Sequence, residues 1–256
     1  MTVNPLIAGV GYLFAMVIVA VTPVLQAILL AVTLPFDRNR RVAGRFSRFA
    51  GAAITRCYPP WRLRVEGKWP GRGPYVVVAN HQSLLDILFL SKLPREMKWV
   101  AKESLFKVPW LGLVFKMSGD IPVRRGDSES GGAALAKARR YLDRGMNVMI
   151  FPEGTRSAKG TLLPFKSGAF RLALEAGVPV LPVAVFGTAQ GMPKGNPWVR
   201  PCRAYARILE PVPTAGLTTN DVTKLRDEVR ARIAAALPPA ETGQVVPASS
   251  PAPVAR

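Results

Sequence analysis

The stretch VVVANHQSLLDILFL, from Val76 to Leu90, joins a strand-like apolar run to a helix-like one and carries His81 at the junction. The run Tyr75–Ala79 predicts a buried strand, and Leu84–Leu93 predicts the helix that follows it. His81 is the only histidine among 256 residues. Histidine is the side chain best suited to moving protons near neutral pH, so this junction is a candidate for catalysis.

Strand and helix patterns continue to alternate along the chain. The predicted strands are Asn147–Phe151, Val180–Phe186 and, at a sheet edge, Arg203–Ile208; the predicted helices are Gly131–Arg144, Ser167–Ala176 and Val222–Leu237, the last capped by Thr219 or Asn220. This order predicts an α/β fold for residues 65–237, with a single mixed, partly parallel sheet flanked by helices. The Pro/Ala-rich residues 238–256 predict a disordered tail.

An uncharged segment precedes this domain. Residues 1–36 contain no charged side chain, which exceeds the roughly 20 residues needed to span a bilayer. We therefore predict a hydrophobic, helical membrane anchor, with a buried core helix as the alternative. Because Pro23 lies in its middle, both one kinked span and a hairpin of two short helices fit the sequence.

A basic segment, residues 37–64, follows the anchor. Apolar and basic positions fall on neighbouring faces of a helix: Val42, Phe46, Phe49 and Ala53 on one, Arg38, Arg41, Arg45 and Arg48 on the other. This pattern predicts an amphipathic helix in an anionic headgroup layer, and the alternative is a solvated face packed on the domain. Arginines beside an apolar segment also favour a cytoplasmic position for the domain, at the cell membrane.

The composition points to an anionic partner. The chain has 35 basic and 16 acidic residues, a net charge of +19. Nucleic acid, an anionic membrane, an acidic carrier protein and a phosphorylated substrate all fit such a charge. No nucleic-acid-binding motif accompanies the arginines, so nucleic acid is the least favoured. Cys57 and Cys202 are too few for a disulfide framework or a zinc site, and no metal is expected.

The segment NHQSLLD, Asn80–Asp86, holds the candidate catalytic pair. Ser83 and Asp86 have the spacing of a helix cap, which alone would explain both residues. If the helix starts near Leu84, the Asp86 carboxylate can fold back onto the His81 imidazole. It would then hold one ring nitrogen and leave the other free as a base.

Three further segments carry recognisable chemistry. In FPEGTRS, Phe151–Ser157, the residues after a strand are Glu153, Gly154, Thr155 and Arg156, at the strand end where α/β sheets bind ligands. In GDIPVRRGD, Gly119–Asp127, the pair Arg124 and Arg125 suits an oxyanion or phosphate. VPVLPVAVFGT, Val178–Thr188, is an apolar strand that packing largely explains. A loop ion pair and solvated arginines are the simpler explanations of the first two segments.

Taken together and in this order, the four segments resemble the four motifs of the glycerolipid acyltransferase family, over residues 65–215. NHQSLLD resembles the first motif, GDIPVRR the second, FPEGTRS the third and VPVLPV the fourth. The family's second-motif arginine falls on Arg125, preceded here by Arg124 where relatives often have an acid. NHQS and FPEGTRS are most similar to the lysophosphatidic acid acyltransferases. The resemblance implies a glycerol-3-phosphate acyltransferase-like fold.

The resemblance also implies a reaction. A fatty acyl group would pass from acyl-coenzyme A or acyl carrier protein to the sn-2 hydroxyl of lysophosphatidic acid, giving phosphatidic acid without a cofactor. His81 would be the base and Asp86 its orienting partner, and Arg125 and Arg156 would hold the phosphate, with Arg124 as a further candidate contact. Glu153 would help to position the glycerol, on the substrate-binding turn that also contains Gly154 and Thr155.

Several points stay open in the sequence. We expect the oxyanion donors among the backbone amides at the start of the Leu84 helix. The acceptor alternatives are another lysophospholipid and a lyso-ornithine lipid. A non-enzymatic, nucleic-acid-binding role is the alternative of a different class, and the absence of G-x-S-x-G argues against a serine hydrolase.

Overall fold

A computed structural model describes residues 5–157, 161–195 and 199–239. Its centre is a seven-stranded sheet in the order β1-β7-β6-β2-β5-β3-β4. The strands are β1 Trp61–Glu66, β2 Val76–Ala79, β3 Met97–Lys102, β4 Ile121–Val123, β5 Asn147–Ile150, β6 Val180–Phe186 and β7 Cys202–Ile208. All neighbouring strands are parallel except β6 and β7. The predicted mixed, partly parallel sheet is confirmed.

Helices cover both faces of this sheet. They are α1 Pro5–Thr33, α2 Arg41–Ile54, α3 Leu85–Leu90, α4 Leu111–Ser118, α5 Ser128–Asp143, α6 Gly168–Ala176, α7 Thr188–Gly191 and α8 Val222–Ala236. Val76 and Val78 face a core completed by α5, α6 and α8, and Val77 and Ala79 face a second core that includes α3. Since both faces are covered, β2 is apolar at every position, as the sequence indicated.

The sheet topology brings the candidate motifs to one edge. Strand β2 lies between β5 and β6 and runs parallel to both, with Val78 opposite Ile150 and Ala79 next to Val183. The carboxyl ends of these three strands therefore meet at one edge, where ligands bind in α/β sheets. NHQSLLD, FPEGTRS and the segment after Phe186 all begin there.

Three sequence predictions about the sheet and its last helix are wrong. Strand β7 is not an edge strand, because β1 pairs with it in parallel from Cys202 to Arg207. Strand β1 starts inside the stretch assigned to the interfacial segment, where the alternation of Arg62, Leu63, Arg64 and Val65 has the two-residue period of a strand. The cap before α8 is Thr218, which forms a capping box with Asp221 around a short 3₁₀ turn.

The apolar N-terminal segment is one helix. Helix α1 runs through Pro23 without interruption, so the hairpin alternative is wrong. Residues Gly9–Thr33 are long and apolar enough to cross a membrane, and only 11% of the most apolar window is buried in the protein. Gln26 docks the helix onto the domain, because its Nε2 donates to Ala43 O at 3.1 Å and to Ser118 Oγ at 2.9 Å.

Helix α2 packs against the domain through small residues, namely Ala43, Ser47 and Ala50. Phe49 points outward and is 66% exposed. Arg48, which we predicted on the lipid-facing side, instead donates to both carboxylate oxygens of buried Asp120 at 2.6 and 2.7 Å. That prediction is wrong, because a buried carboxylate in the domain requires a partner and Arg48 is the guanidinium within reach.

Candidate active site

The start of α3 brings His81 and Asp86 together. Asp86 Oδ2 accepts three hydrogen bonds, from His81 Nδ1 at 2.7 Å, from Gln82 N at 2.7 Å and from Ser83 N at 2.9 Å. The carboxylate therefore caps the helix and orients the imidazole at once, so the two interpretations of Asp86 are compatible. Because a carboxylate accepts at Nδ1, that nitrogen carries the proton and Nε2 is left unprotonated in the neutral ring.

Thr188 holds the other oxygen of the same carboxylate. Its Oγ1 donates to Asp86 Oδ1 at 2.5 Å, and both side chains are fully buried. Thr188 begins α7, immediately after β6 and Gly187. Sequence reasoning assigned this fourth segment to packing and missed Thr188. One sequence feature could have indicated Thr188: it is a hydroxyl residue just beyond the carboxyl end of a predicted central strand.

The loop after β5 holds His81 from the opposite side. The His81 ring stacks on Phe151, with ring centroids 3.9 Å apart and an interplanar angle of 15°. His81 N donates to Glu153 Oε1 at 3.0 Å, and His81 O accepts from Ser157 N at 2.8 Å. Within the described residues Nε2 has no hydrogen-bond partner. The geometry thus fixes the imidazole ring of His81 and leaves Nε2, the nitrogen that would act as a base, without a hydrogen-bond partner among the described residues.

Glu153 is buried beneath this junction. Burial raises the pKa of its carboxyl to about 8, while the hydrogen bond from the His81 amide acts in the opposite direction. Its second oxygen, Oε2, is buried and has no partner among the described residues. A carboxyl with this pKa is largely protonated at neutral pH, so it can also donate a hydrogen bond.

Gly154 makes the turn after Glu153 possible. Its φ is +69°, in the left-handed region that favours glycine, and a Cβ there would lie 3.1 Å from Lys166 Cε. Thr155 lies between this glycine and Arg156 in the same turn and is partly exposed. The glycine therefore lets the turn pass close to a lysine side chain.

A cavity of about 400 Å³ opens beside Phe151. Its polar lining includes Lys102, Arg124, Arg125 and Lys166, and its apolar lining includes Val100, Val123, Leu135 and Ile150. Sequence reasoning did not single out the two lysines, because each is isolated in sequence and only the fold brings them to this cavity. A basic cavity with apolar walls suits a phosphate attached to a lipid.

Arg125 and Arg156 lie close enough to repel each other. Burial lowers the pKa of Arg125, and the positive charge of Arg156 lowers it further. Within the part of the chain that the structure describes, neither guanidinium has a carboxylate partner. Two neighbouring cations without an acid between them favour an anion from outside the chain.

Arg124 differs from its neighbour. Its guanidinium is exposed and donates to Glu103 at 3.3 Å and to Asp127 at 3.0 Å. These two carboxylates already balance its charge, and of the two adjacent arginines Arg125 is the stronger candidate for binding an added anion.

The amides at the start of α3 are already in use. Gln82 N and Ser83 N donate to Asp86, and Leu85 N donates to Ser83 Oγ at 3.1 Å. The expectation that these amides stabilise an oxyanion is therefore wrong for all three. Their donors are needed to hold the Asp86 loop.

A second, mostly apolar cavity of about 320 Å³ lies on the α1 side of α3. Helices α1, α2, α3 and α4 all contribute to its wall, and its lining includes Val19, Ile54, Ile87, Leu88, Trp110 and Phe115. The cavity thus lies between the helix that contains Asp86 and the helix that is long enough to cross a membrane.

Known proteins that are similar to this chain are acyltransferases. A family model described as Acyltransferase matches residues 62–186. The chain is 34% identical over 223 residues to a 1-acyl-sn-glycerol-3-phosphate acyltransferase of Chlamydomonas reinhardtii, a match covering 86% of this chain and 66% of that protein. It is 39% identical over 166 residues to a chloroplastic 1-acyl-sn-glycerol-3-phosphate acyltransferase of Brassica napus, covering 64% of this chain and 48% of that one. The chain thus spans about half to two thirds of the curated relatives it matches.

A solved structure is also similar. The crystal structure of the 1-acyl-sn-glycerophosphate (LPA) acyltransferase PlsC from Thermotoga maritima superposes with a TM-score of 0.69 at 28% sequence identity. That match covers 90% of this chain and 94% of the other. The similarity therefore extends beyond the sheet to nearly the whole of both chains.

Proposed function

Because this chain belongs to the acyltransferase family, we propose that it transfers a fatty acyl group from a thioester donor to the sn-2 hydroxyl of lysophosphatidic acid, giving phosphatidic acid. One observation carries the proposal: His81, held by Asp86, stacks on Phe151, which lines a cavity together with Arg125, and Arg156 lies close to Arg125. The relatives named above are called 1-acyl-sn-glycerol-3-phosphate acyltransferases, which supports the same acceptor.

The proposed reaction is a direct transfer. His81 Nε2 takes the proton of the acceptor hydroxyl as its oxygen attacks the thioester carbonyl carbon. Asp86, 2.7 Å from Nδ1, stabilises the imidazolium that forms. When the tetrahedral intermediate collapses, the carbon–sulfur bond breaks, and the departing sulfur takes the proton back from Nε2. An ester and a thiol result, and His81 is neutral again.

The acceptor would be held by its phosphate. Arg125 and Arg156 are the cations we assign to it, since a guanidinium grips phosphate oxygens with two parallel hydrogen bonds. Glu153 Oε2, buried and without a partner among the described residues, is the atom we assign to the glycerol part of the acceptor. Its raised pKa leaves a proton there to donate.

The donor's acyl chain would occupy the second cavity. That cavity is mostly apolar, borders α3 and opens towards α1, so a chain bound there reaches from the reacting carbon towards the bilayer. We propose that α1 anchors the protein in the cell membrane and that the basic domain lies on the cytoplasmic side, where acyl-coenzyme A and acyl carrier protein are found.

The test is acyl transfer by the full chain in lipid nanodiscs. Lysophosphatidic acid, lysophosphatidylcholine and lyso-ornithine lipid are offered in turn, each with acyl-coenzyme A and with acyl carrier protein as donor. We expect lysophosphatidic acid to give by far the highest kcat/KM. A higher kcat/KM for either other acceptor would replace the proposed substrate, and transfer to none of the three would refute the function.

Two variants test the base directly. His81→Ala should lower kcat by at least about 10²-fold, the lower range for loss of a general base. Phe151→Leu is the matched control, because it removes the ring stacked on His81 but keeps the imidazole. A kcat that falls equally in both variants would mean that the ring stack, and not proton transfer, accounts for the loss.

A further inference from the structure

A basic cleft, distinct from the cavity at His81, lies between α2 and the loop from α3 to β3. Its volume is about 340 Å³. Helix α2 contributes Arg45, Phe49 and Ala52, the turn after it contributes Arg56, and the loop contributes Lys92 and Arg95. The three α2 residues are spaced i, i+4 and i+7, so they form one stripe along the helix, and Arg56 lies two residues beyond the helix end.

Most of the positive charge in this cleft has no carboxylate partner among the described residues; the exception is Arg48, which also lines the cleft and pairs with Asp120. Arg45, Arg56 and Arg95 are exposed, and none of their guanidinium groups forms a hydrogen bond or ion pair within the described residues. Burial lowers the pKa of Lys92, and the nearby charge of Arg56 lowers it further. The acid at the cleft, Glu96, is turned to buried Lys98, with 3.2 Å between Oε1 and Nζ. An anion placed among the four cations would relieve their mutual repulsion.

The apolar surroundings show what kind of anion fits. Phe49 stands at the cleft with 66% of its surface exposed, and α2 packs on α1, whose outer face is apolar and exposed. Cations around an exposed aromatic ring, next to a helix that can span a membrane, match the boundary between lipid headgroups and acyl chains. A free anion would use the cations and leave the ring without a role.

We propose that this cleft binds the phosphate headgroup of an anionic phospholipid from the surrounding membrane. The phosphodiester lies among Arg45, Arg56, Lys92 and Arg95, and the acyl chains run along Phe49 towards α1. The bound lipid bridges α2 and the loop that follows α3. This binding requires no acyl transfer, so the proposed function and the lipid site can fail separately.

The experiment measures lipid binding by the full chain in a neutral detergent. Melting temperatures are recorded against the concentration of soluble short-chain phosphatidylglycerol, of phosphatidylcholine with the same chains, and of inorganic phosphate, which gives an apparent Kd for each. The wild type should bind phosphatidylglycerol most tightly. Equal affinity for phosphatidylcholine would overturn the anionic-lipid assignment, and equal affinity for inorganic phosphate would make this a free-anion site.

A pair of double variants locates the binding. Arg56→Gln/Arg95→Gln should weaken phosphatidylglycerol binding by about tenfold or more, the effect of losing charged hydrogen bonds. Arg64→Gln/Arg203→Gln removes the same charge from exposed arginines on β1 and β7 and should change Kd less than about threefold. Unchanged binding in the first variant would show that the lipid binds outside this cleft, and equal weakening in both would indicate non-specific attraction. Either result refutes the proposal.

Discussion

Replacing Asp86 by asparagine separates the charge of this residue from its hydrogen bonds. The carboxylate is fully buried and accepts from His81, Gln82, Ser83 and Thr188. An asparagine oxygen can accept from the imidazole and the two amides. Its NH₂ then meets the Thr188 hydroxyl, which can rotate and accept instead. The number of hydrogen bonds is preserved, and the negative charge is lost.

The size of the effect follows from the separation of the two groups. An imidazolium and a carboxylate about 4 Å apart attract each other by about 4 kcal/mol at an effective dielectric constant of 20. A hydrogen bond to a charged group exceeds a neutral one by about 1–2 kcal/mol. Asp86→Asn should therefore raise the barrier by about 2–4 kcal/mol and lower kcat about 30- to 1,000-fold. Since Asp86 touches neither substrate in the proposed complex, both KM values should change little.

The assay is steady-state acyl transfer with a melting curve of each variant. Thr188→Val is the control, because it removes the 2.5 Å hydrogen bond to Oδ1 and keeps the charge. We expect it to lower kcat about tenfold or less, the effect of one lost hydrogen bond, and Thr188→Ser to restore the rate. If Asp86→Asn melts at a much lower temperature but its folded fraction turns over normally, Asp86 is only a helix cap. If Thr188→Val loses as much activity as Asp86→Asn, orientation matters and charge does not.

Three more predictions concern the phosphate site, Glu153 and the anchor. Arg125→Lys and Arg156→Lys should each lower kcat/KM for lysophosphatidic acid about ten- to a hundredfold and leave the KM for acyl-coenzyme A nearly unchanged; equal losses for both substrates in steady-state kinetics would indicate structural arginines. Glu153→Gln should melt above the wild type by a margin that grows between pH 5 and 8. The Glu153 carboxyl has a pKa of about 8 in the folded protein and near 4.5 in the unfolded chain. Between these values only the folded protein holds the proton, so the stability of the wild type falls as pH rises. A difference in melting temperature that does not depend on pH would contradict the raised pKa. Deleting residues 1–36 should leave the protein bound to anionic vesicles at low salt, because the exposed arginines of α2 remain. High salt should release it, because salt screens these charges. If the truncated protein does not float with vesicles at low salt, α1 alone binds the membrane.

Local patterns carried most of the correct predictions about fold and site. The β2 valines, the turn at Gly154 and the start of α3 each depend on residues within a few positions of one another. Hydrophobic periodicity and turn preferences act over such short separations, so these features could be predicted from the sequence. The contact of His81 with Asp86 belongs to the same class, because five residues at a strand-to-helix junction are enough to close it. The catalytic and binding roles assigned to these residues stay predictions until the variants are made.

The errors arose where a local pattern fitted two environments. Arg48 follows the basic periodicity of α2, yet it turns inward to Asp120, 72 residues away. Arg62 and Arg64 continue the arginine-rich stretch, yet they belong to β1, whose partner strand begins at Cys202. Sequence periodicity indicates which face of a helix or strand a residue occupies, but it does not indicate which part of the protein packs against that face. The partners of Arg48 and of strand β1 could therefore not be predicted from the sequence.

The sequence by itself determined the alternation of strands and helices, the apolar N-terminal helix and the His81–Asp86 junction, because each depends on residues that are adjacent or nearly adjacent in the chain. Only the tertiary structure decided that Thr188 holds Asp86, that Arg125 lies near Arg156, and that Arg56 and Arg95 face the same cleft. These pairs are far apart in the chain, and their distance depends on strand order and helix packing. Hydrophobic burial over the whole sheet sets that order, and no single segment encodes it.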